Sequence, residues 1–238
     1  MLYLHKRSKY KREMKKIIIF CILVITIYIG FKFYCYNVYG PEKSLEIPSI
    51  KINGNMTINH IDLNEDEYIT FSNMKFKNVF EGYEKLNEES DTYKMTFTNE
   101  KGERKAIFIG SDNQYVYMIN NSEEYKSLSN SIIKKENIKD DVEFLEYLEK
   151  HNDDKVKFFM TTRRQKQIHY VNEFKTSVLP SIEYVKEIDG YYRGYIYKTA
   201  KNIYEVNILN GDKKYYFTFI GEYTEKFIND FMNSVIIK

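Results

Sequence analysis

The chain has no tryptophan, only three prolines and only two cysteines among its 238 residues. Both cysteines, Cys21 and Cys35, lie in or beside one apolar run near the N-terminus, so residues 41–238 contain none. This absence excludes disulfide bonds, thiolate metal ligands and a cysteine nucleophile from the larger part of the chain. A segment of that length is long enough to be held by a hydrophobic core alone.

Recognisable catalytic and cofactor motifs are also absent. The sequence contains no G-x-S-x-G, H-E-x-x-H, Walker, G-x-G-x-x-G or C-x-x-C pattern. The histidines that follow the apolar run, His60, His151 and His169, have no ligand-type neighbour at metal spacing. We therefore predict no cofactor, no metal site and no catalytic residues. Carboxylates that are distant in sequence and brought together by folding stay open as an alternative.

Positive charge is scarce outside the N-terminus. The first 32 residues hold eight of the 36 basic residues and one of the 34 acidic ones, which leaves 28 basic and 33 acidic residues in the rest. The mildly acidic remainder lacks the positive field that a nucleic-acid-binding protein needs, so we predict no nucleic-acid partner.

One long hydrophobic run is present. Residues 17–31 carry no charge, and the apolar character continues past Lys32 to Tyr36. The twenty residues 17–36 would form a helix of about 30 Å, which is the thickness of a bilayer core. No small-x-small cleavage site follows, because the sequence has no alanine before Ala106. We predict a transmembrane signal anchor that is retained, with Lys32 reaching the lipid headgroups.

The flanks of this run predict its orientation. Residues 1–16 contain seven basic residues and one acidic residue, whereas the far flank is balanced in charge. The positive-inside rule then places the N-terminus in the cytoplasm and the C-terminal part outside the cell membrane. The bias toward Ile, Lys, Asn and Tyr is typical of AT-rich codons, which indicates a low-GC bacterium with a single membrane.

Local patterns predict an α+β fold with antiparallel sheet and packed helices. Strands are expected at 93–99 and 104–110 as a hairpin, at 114–119 and 156–162, and in an antiparallel meander whose turns contain Asp-Gly and Asn-Gly. Helices are expected at 76–86, at 140–152 with Asp140 as its cap, at 163–180, and at the C-terminus. The predicted divisions are a cytoplasmic tail 1–16, the anchor 17–36, a spacer 37–55, and two α+β lobes, 56–138 and 139–238.

Two further similarities concern these lobes. The order of a strand, a helix, antiparallel strands and a final helix over 156–238 is similar, as a pattern only, to Mog1/PsbP-like domains. No diagnostic residue accompanies that resemblance, so it implies a fold and no function. Separately, 93–110 and 204–221 share five identities in eighteen positions, which leaves an internal duplication of the lobes open.

Two groups of side chains are candidate binding residues. Alternation in the segment YYRGYIY places Tyr191, Arg193, Tyr195 and Tyr197 on one face of a strand, which would suit a peptide or glycan if the row is exposed. An alternative is that these tyrosines reflect codon bias and strand propensity.

The second group is Arg163, Arg164 and Lys166 at the start of a predicted helix. The helix macrodipole disfavours positive charge there, which indicates contact with anionic lipid or wall polymer. The alternative is a solvated helix end paired with nearby acidic residues.

The sequence as a whole favours a single-pass, membrane-anchored interaction protein of the bacterial envelope that binds an envelope protein and catalyses no reaction. Two alternatives stay open: an envelope enzyme that acts on wall polymer through dispersed carboxylates, and a ligand-sensing ectodomain.

Overall fold

The computed structural model describes residues 2–40, 49–71, 73–79, 93–98, 104–113, 123–178 and 182–238. This part of the chain is α+β with mixed sheets, which confirms the predicted fold class at that level. Its helices are α1 (Leu2–Tyr39), α2 (Glu123–Glu136), α3 (Asp141–Lys150), α4 (Thr162–Val178) and α5 (Glu225–Met232). Its strands are β1 (Ile52–Ile58), β2 (Tyr68–Phe71), β3 (Met74–Lys77), β4 (Tyr93–Thr98), β5 (Arg104–Asn113), β6 (Ile182–Gly190), β7 (Arg193–Thr199), β8 (Ile203–Asn210), β9 (Lys213–Ile220) and β10 (Ile236–Ile237).

The chain divides into two compact units. The first, which we call the helical unit, comprises residues 1–46 and 154–172 and so contains α1 and most of α4. The second, which we call the sheet unit, comprises residues 47–153 and 173–238 and contains all ten described strands.

A seven-stranded sheet forms the frame of the sheet unit. Its strand order is β1-β6-β7-β8-β9-β5-β4, and every neighbouring pair is antiparallel except β1 and β6. The predicted meander β6 to β9 and the predicted hairpin β4–β5 are confirmed. A second, three-stranded sheet has the order β10-β3-β2.

Alternation along the strands gives the large sheet one apolar face. Ile196, Val206 and Phe217 lie side by side in the register of β7, β8 and β9, and all three are fully buried. Helix α5 contributes Ile228 and Phe231 to the same hydrophobic cluster. Burying aromatic and branched side chains of this size is worth about 1.5–3 kcal/mol each, so this face is the main source of stability.

Helix α5 begins and ends as its sequence dictates. Thr224 caps its N-terminus, with the hydroxyl accepting a hydrogen bond of 3.1 Å from the Phe227 amide. The helix ends at Met232, earlier than the apolar periodicity predicts, because Ile236 and Ile237 form strand β10 against β3. The C-terminal helix is therefore confirmed in kind and shorter in extent.

Helix α3 belongs to the same unit and is capped at both ends. Asp140 accepts a 2.9 Å hydrogen bond from the Glu143 amide, which confirms the predicted cap. At the other end, the fully buried ammonium group of Lys175 donates a 3.0 Å hydrogen bond to the His151 carbonyl. A cation at that end is favoured by the helix macrodipole.

Three local predictions differ from the structure or fall outside it. The predicted strand at 156–162 is wrong, because those residues form turns that lead into α4. The predicted helix at 76–86 is wrong over 76–79, where Met74–Lys77 is strand β3 and residues 78–79 are coil, and residues 80–86 lie outside the described part of the chain. The strand predicted at 114–119 also lies outside the described residues, and helix α2 was not predicted.

Strands of both predicted lobes share the large sheet. Strand β5, from 56–138, pairs with β9, from 139–238. The proposed echo between 93–110 and 204–221 falls on two hairpins, yet their registers differ by one residue. Tyr93 pairs with Ile109, whereas Tyr204 pairs with Phe219 and not with Ile220.

Helix α1 is the longest helix of the helical unit, and most of its described side chains are exposed. Residues 12–39 form one helix that is long and apolar enough to cross a membrane, and the part of the chain that the structure describes contains no second one. Its apolar side chains, from Ile17 through Phe31, stand open to the surroundings. Such a helix is compatible with a single membrane anchor.

Candidate functional site

The first predicted group of binding residues begins with Tyr191, which lies in the turn between β6 and β7. Its side chain is 57% exposed and its ring stacks on His60, with the ring centroids 4.9 Å apart. The neighbouring Ile61 is also exposed, although it is a large apolar side chain. We call His60, Ile61 and Tyr191 the Tyr191 patch.

Backbone geometry fixes this patch. The Tyr191 amide donates a 2.8 Å hydrogen bond to the Ile58 carbonyl, which ties the turn to the end of β1. Gly190 makes the approach possible, because its φ is +95° and a Cβ at that position would collide with the Ile58 carbonyl oxygen. The Nε2 atom of His60 lies 3.0 Å from an Asp62 carboxylate oxygen, which orients the imidazole ring. These contacts position the rings of Tyr191 and His60, and Ile61 is exposed next to His60 in the sequence.

The other members of the predicted row are not an open tyrosine surface. Arg193 is exposed and approaches Asp140 at 3.3 Å. Tyr195 is buried, and Tyr197 is half-buried with its ring stacked on that of Tyr195. The condition that the row Tyr191, Arg193, Tyr195 and Tyr197 be exposed is not met at Tyr195, because its side chain is covered and bonded to Asp141 of helix α3. A binding role for the row stays a prediction.

Tyr195 belongs instead to a buried polar cluster. The Tyr195 hydroxyl and the Lys214 ammonium group both donate to one carboxylate oxygen of Asp141, each at 3.2 Å. Asp141 is 4% exposed and Lys214 is 7% exposed. We call Asp141, Tyr195 and Lys214 the Asp141 cluster.

The charges and hydrogen bonds of the Asp141 cluster favour a structural role over a role in proton transfer. Burial, followed by the charge of Asp141, raises the pKa of Tyr195 well above its ordinary value. The tyrosine therefore stays protonated at neutral pH and serves as a hydrogen-bond donor. The lysine charge compensates the carboxylate charge, which makes burial of both tolerable.

Further carboxylates surround the start of helix α3. Arg193 lies 3.3 Å from Asp140 and 3.9 Å from Glu143, so the guanidinium group draws both acids toward β7. Burial and then the charge of Glu187 raise the pKa of the Glu146 carboxyl. Within the described residues, no group of three or more His, Cys, Asp or Glu side chains could hold a metal ion.

The second predicted group lies in the helical unit at the start of α4. Arg163 is exposed, whereas Arg164 donates a 2.7 Å ion-paired hydrogen bond to Asp154. The ammonium group of Lys166 lies 5.2 Å from the centre of the Tyr39 ring, near the end of α1. The Arg164 pair follows the alternative of a helix end neutralised by a nearby acid. Contact with an anionic surface stays a prediction.

The end of α1 contacts the segment that precedes α4, within the same unit. Lys32 is 6% exposed and its ammonium group donates to the Met160 carbonyl, so its side chain ends on the protein, and its reach to the lipid headgroups stays a prediction. Cys35 is buried and accepts a 3.8 Å hydrogen bond from the Thr162 hydroxyl. The Tyr36 ring meets the Phe158 ring edge-on at 5.9 Å.

Sequence reasoning missed several of these residues. His60 and Ile61 join Tyr191 only because β1 pairs in parallel with β6, and no local signal indicates that pairing. Asp141 and Lys214 are 73 residues apart and looked like ordinary surface charges. The pair Phe158 and Phe159 stands between cations in the sequence.

Comparisons with known proteins add no relative. No protein-family model matches the chain, and no curated protein and no solved structure matches it either. The similarity of 156–238 to Mog1/PsbP-like domains accordingly stays a prediction, and any statement about function depends on the geometry described above.

Proposed function

We propose that the chain is a single-pass protein of a bacterial cell membrane, with its N-terminus in the cytoplasm and its α+β part outside, where it binds another envelope protein and catalyses no reaction. One observation carries the proposal: helix α1 leaves its apolar side chains exposed along residues 17–31. Exposure of so much apolar surface to water is unfavourable, whereas a bilayer core accommodates it.

The orientation is supported by charge. The seven basic residues of 1–16 precede the apolar run, and positive charge at one end of an anchor favours the cytoplasmic side. The mildly acidic composition of the rest of the chain adds no competing signal.

Binding of a partner protein is supported by the Tyr191 patch. Interfaces are enriched in exposed aromatic side chains that are held rigidly, since such residues lose little entropy when they bind. Tyr191 and Ile61 are two of the few large apolar side chains that the sheet unit exposes among its described residues. Asp62 beside them, which is fully open to solvent, favours a partner with a complementary positive charge.

An envelope enzyme remains the second candidate, favoured by one observation. Glu146 has a raised carboxyl pKa and feels the charge of Glu187, and a carboxylic acid with a raised pKa is what glycoside hydrolysis requires of its general acid. The leading proposal is preferred because Asp140, Asp141 and Glu143 are engaged by Arg193 and Lys214.

The binding proposal predicts site-specific crosslinking in the native host. A photo-crosslinkable phenylalanine analogue in place of Tyr191 or Ile61 is expected to capture the same single protein, because both side chains belong to one contact surface. The matched control is the same analogue at Ala200, which is exposed in the turn at the opposite ends of β7 and β8 and should capture nothing.

Mass spectrometry of the captured adduct identifies the partner, and a Tyr191→Ser variant should compete poorly for it. If the analogue at positions 191 and 61 captures no protein, or if Ala200 captures the same protein equally well, the Tyr191 patch is not the contact surface. Turnover of wall polymer by a Glu146→Gln variant and the native chain would then be compared.

A further inference from the structure

A short loop within the helical unit contacts the C-terminal end of helix α1. We call residues 157–161, which carry the sequence KFFMT, the FFM loop. The Met160 carbonyl accepts a hydrogen bond from the Lys32 ammonium group, and the Phe158 ring packs edge-on against the Tyr36 ring. Immediately after the loop, Thr162 bonds to Cys35. The loop is therefore attached to α1 between Lys32 and Tyr36.

The position of Lys32 along α1 gives the depth of this attachment. From Ile17 to Lys32 the helix rises about 22 Å, at about 1.5 Å per residue. The hydrocarbon core of a bilayer is about 30 Å thick. If the core begins at Ile17, Lys32 lies about 8 Å inside its far boundary, and the FFM loop that it contacts lies near that boundary. An ammonium group at this depth has no water to accept its hydrogen bonds, and the Met160 carbonyl is an acceptor in place of that water.

Phe159 projects from the loop without protein contacts that would bury it. Its side chain is 91% exposed, and it meets the Phe158 ring edge-on at 5.1 Å. Transfer of a phenylalanine side chain from water to an apolar environment is favourable. Because the Phe159 ring is this exposed and lies next to the end of the proposed membrane anchor, contact with lipid would remove it from water.

The charges around Phe159 match the chemistry of a lipid surface. Residues 155–166 contain five cations and no acid. Of these cations, Lys155, Lys157 and Arg163 have exposed side chains and flank the two phenylalanines. Cations beside an apolar insertion are typical of segments that lie in the headgroup layer, where phosphate groups accept their hydrogen bonds.

We propose that the FFM loop is a second membrane contact, in which Phe159 inserts into the bilayer surface at the outer end of α1 while Lys157 and Arg163 bind lipid phosphates. This proposal rests on the proposed membrane anchor. It gives the predicted anionic-surface residue Arg163 a specific partner, the headgroups of the bilayer that α1 crosses. Two attachment points restrict rotation of the helical unit about the anchor axis.

The absence of tryptophan allows a direct test. A Phe159→Trp variant of the full-length protein has one tryptophan, and its high exposure means that the larger ring disturbs no packing. In vesicles of phosphatidylcholine with brominated acyl chains, the variant is expected to lose most of the fluorescence that it shows in unbrominated vesicles. Its emission should also be shifted to shorter wavelength and protected from aqueous iodide.

A Phe20→Trp variant separates this proposal from the membrane anchor itself. Position 20 lies within the apolar run, so bromine should quench it strongly. Quenching of Phe20→Trp without quenching of Phe159→Trp, together with iodide access to position 159, overturns the FFM loop proposal and leaves the anchor standing. If neither variant is quenched, the anchor proposal itself fails and the loop proposal fails with it.

Discussion

Replacing Asp141 with alanine is expected to lower the free energy of unfolding by about 3–5 kcal/mol, because it removes the carboxylate that the buried ammonium group of Lys214 contacts at 3.2 Å. Both side chains are nearly inaccessible, and the Tyr195 hydroxyl loses its acceptor at the same time. Urea unfolding of the full-length protein in detergent micelles, followed by the near-ultraviolet circular dichroism of its tyrosines, measures the change.

Two comparison variants give this prediction its specificity. Asp230→Ala breaks the exposed Lys226–Asp230 pair, and exposed pairs of this helical spacing are worth about 0.3–0.5 kcal/mol. The double variant Asp141→Leu with Lys214→Met removes both charges of the pair and should recover most of the loss, because apolar side chains of similar size then fill the buried site. A loss as small for Asp141→Ala as for Asp230→Ala would show that the Asp141 cluster is not buried as described.

Alkaline pH is expected to destabilise the sheet unit steeply above the ordinary tyrosine pKa. Burial is the largest cause of the raised pKa in Tyr184, Tyr192, Tyr195 and Tyr223. A raised pKa in the folded state means that the neutral phenol is favoured there, so the stabilisation is present below about pH 10 and is lost as the pH rises further. For the deeply buried Tyr195 alone the loss is about 1.4 kcal/mol for each pH unit.

The absorbance of phenolate, titrated together with circular dichroism, checks this expectation. These tyrosines should ionise only as the fold is lost, and the two signals should change together. Tyr195→Phe removes one of the titrating groups and should make the alkaline transition less steep. Smooth ionisation of all tyrosines near pH 10 with an intact fold would contradict the burial of their hydroxyl groups.

Most of the large sheet could be predicted from sequence because its signals are local. The Asp189-Gly190 and Asn210-Gly211 pairs mark where β6 and β8 end and the meander turns, and both glycines have positive φ. The cap at Asp140 likewise depends on residues within one helical turn. These predictions, which needed only neighbouring residues, were confirmed.

Predictions failed where a distant contact decides the structure. Residues 156–162 have strand-like composition, but their backbone joins the end of α1 through Lys32 and therefore forms turns. Strand β1 pairs in parallel with β6, although more than a hundred residues separate the two strands in the sequence, and no turn signal predicts such a pairing. Tyr195 alternates with its neighbours as predicted, yet only the position of α3 determines that it is buried.

The central claim is that α1 crosses the membrane with the α+β part outside, and cysteine labelling in cells tests it most directly. In a chain with Cys21→Ser and Cys35→Ser, a single cysteine is introduced at Ala200, which is exposed in the sheet unit, or at Ser8 in the basic tail. A membrane-impermeant maleimide added to intact cells without their walls should label Ala200→Cys at once and Ser8→Cys only after permeabilisation. Labelling of Ser8→Cys in intact cells, or protection of Ala200→Cys until the membrane is opened, would contradict the account.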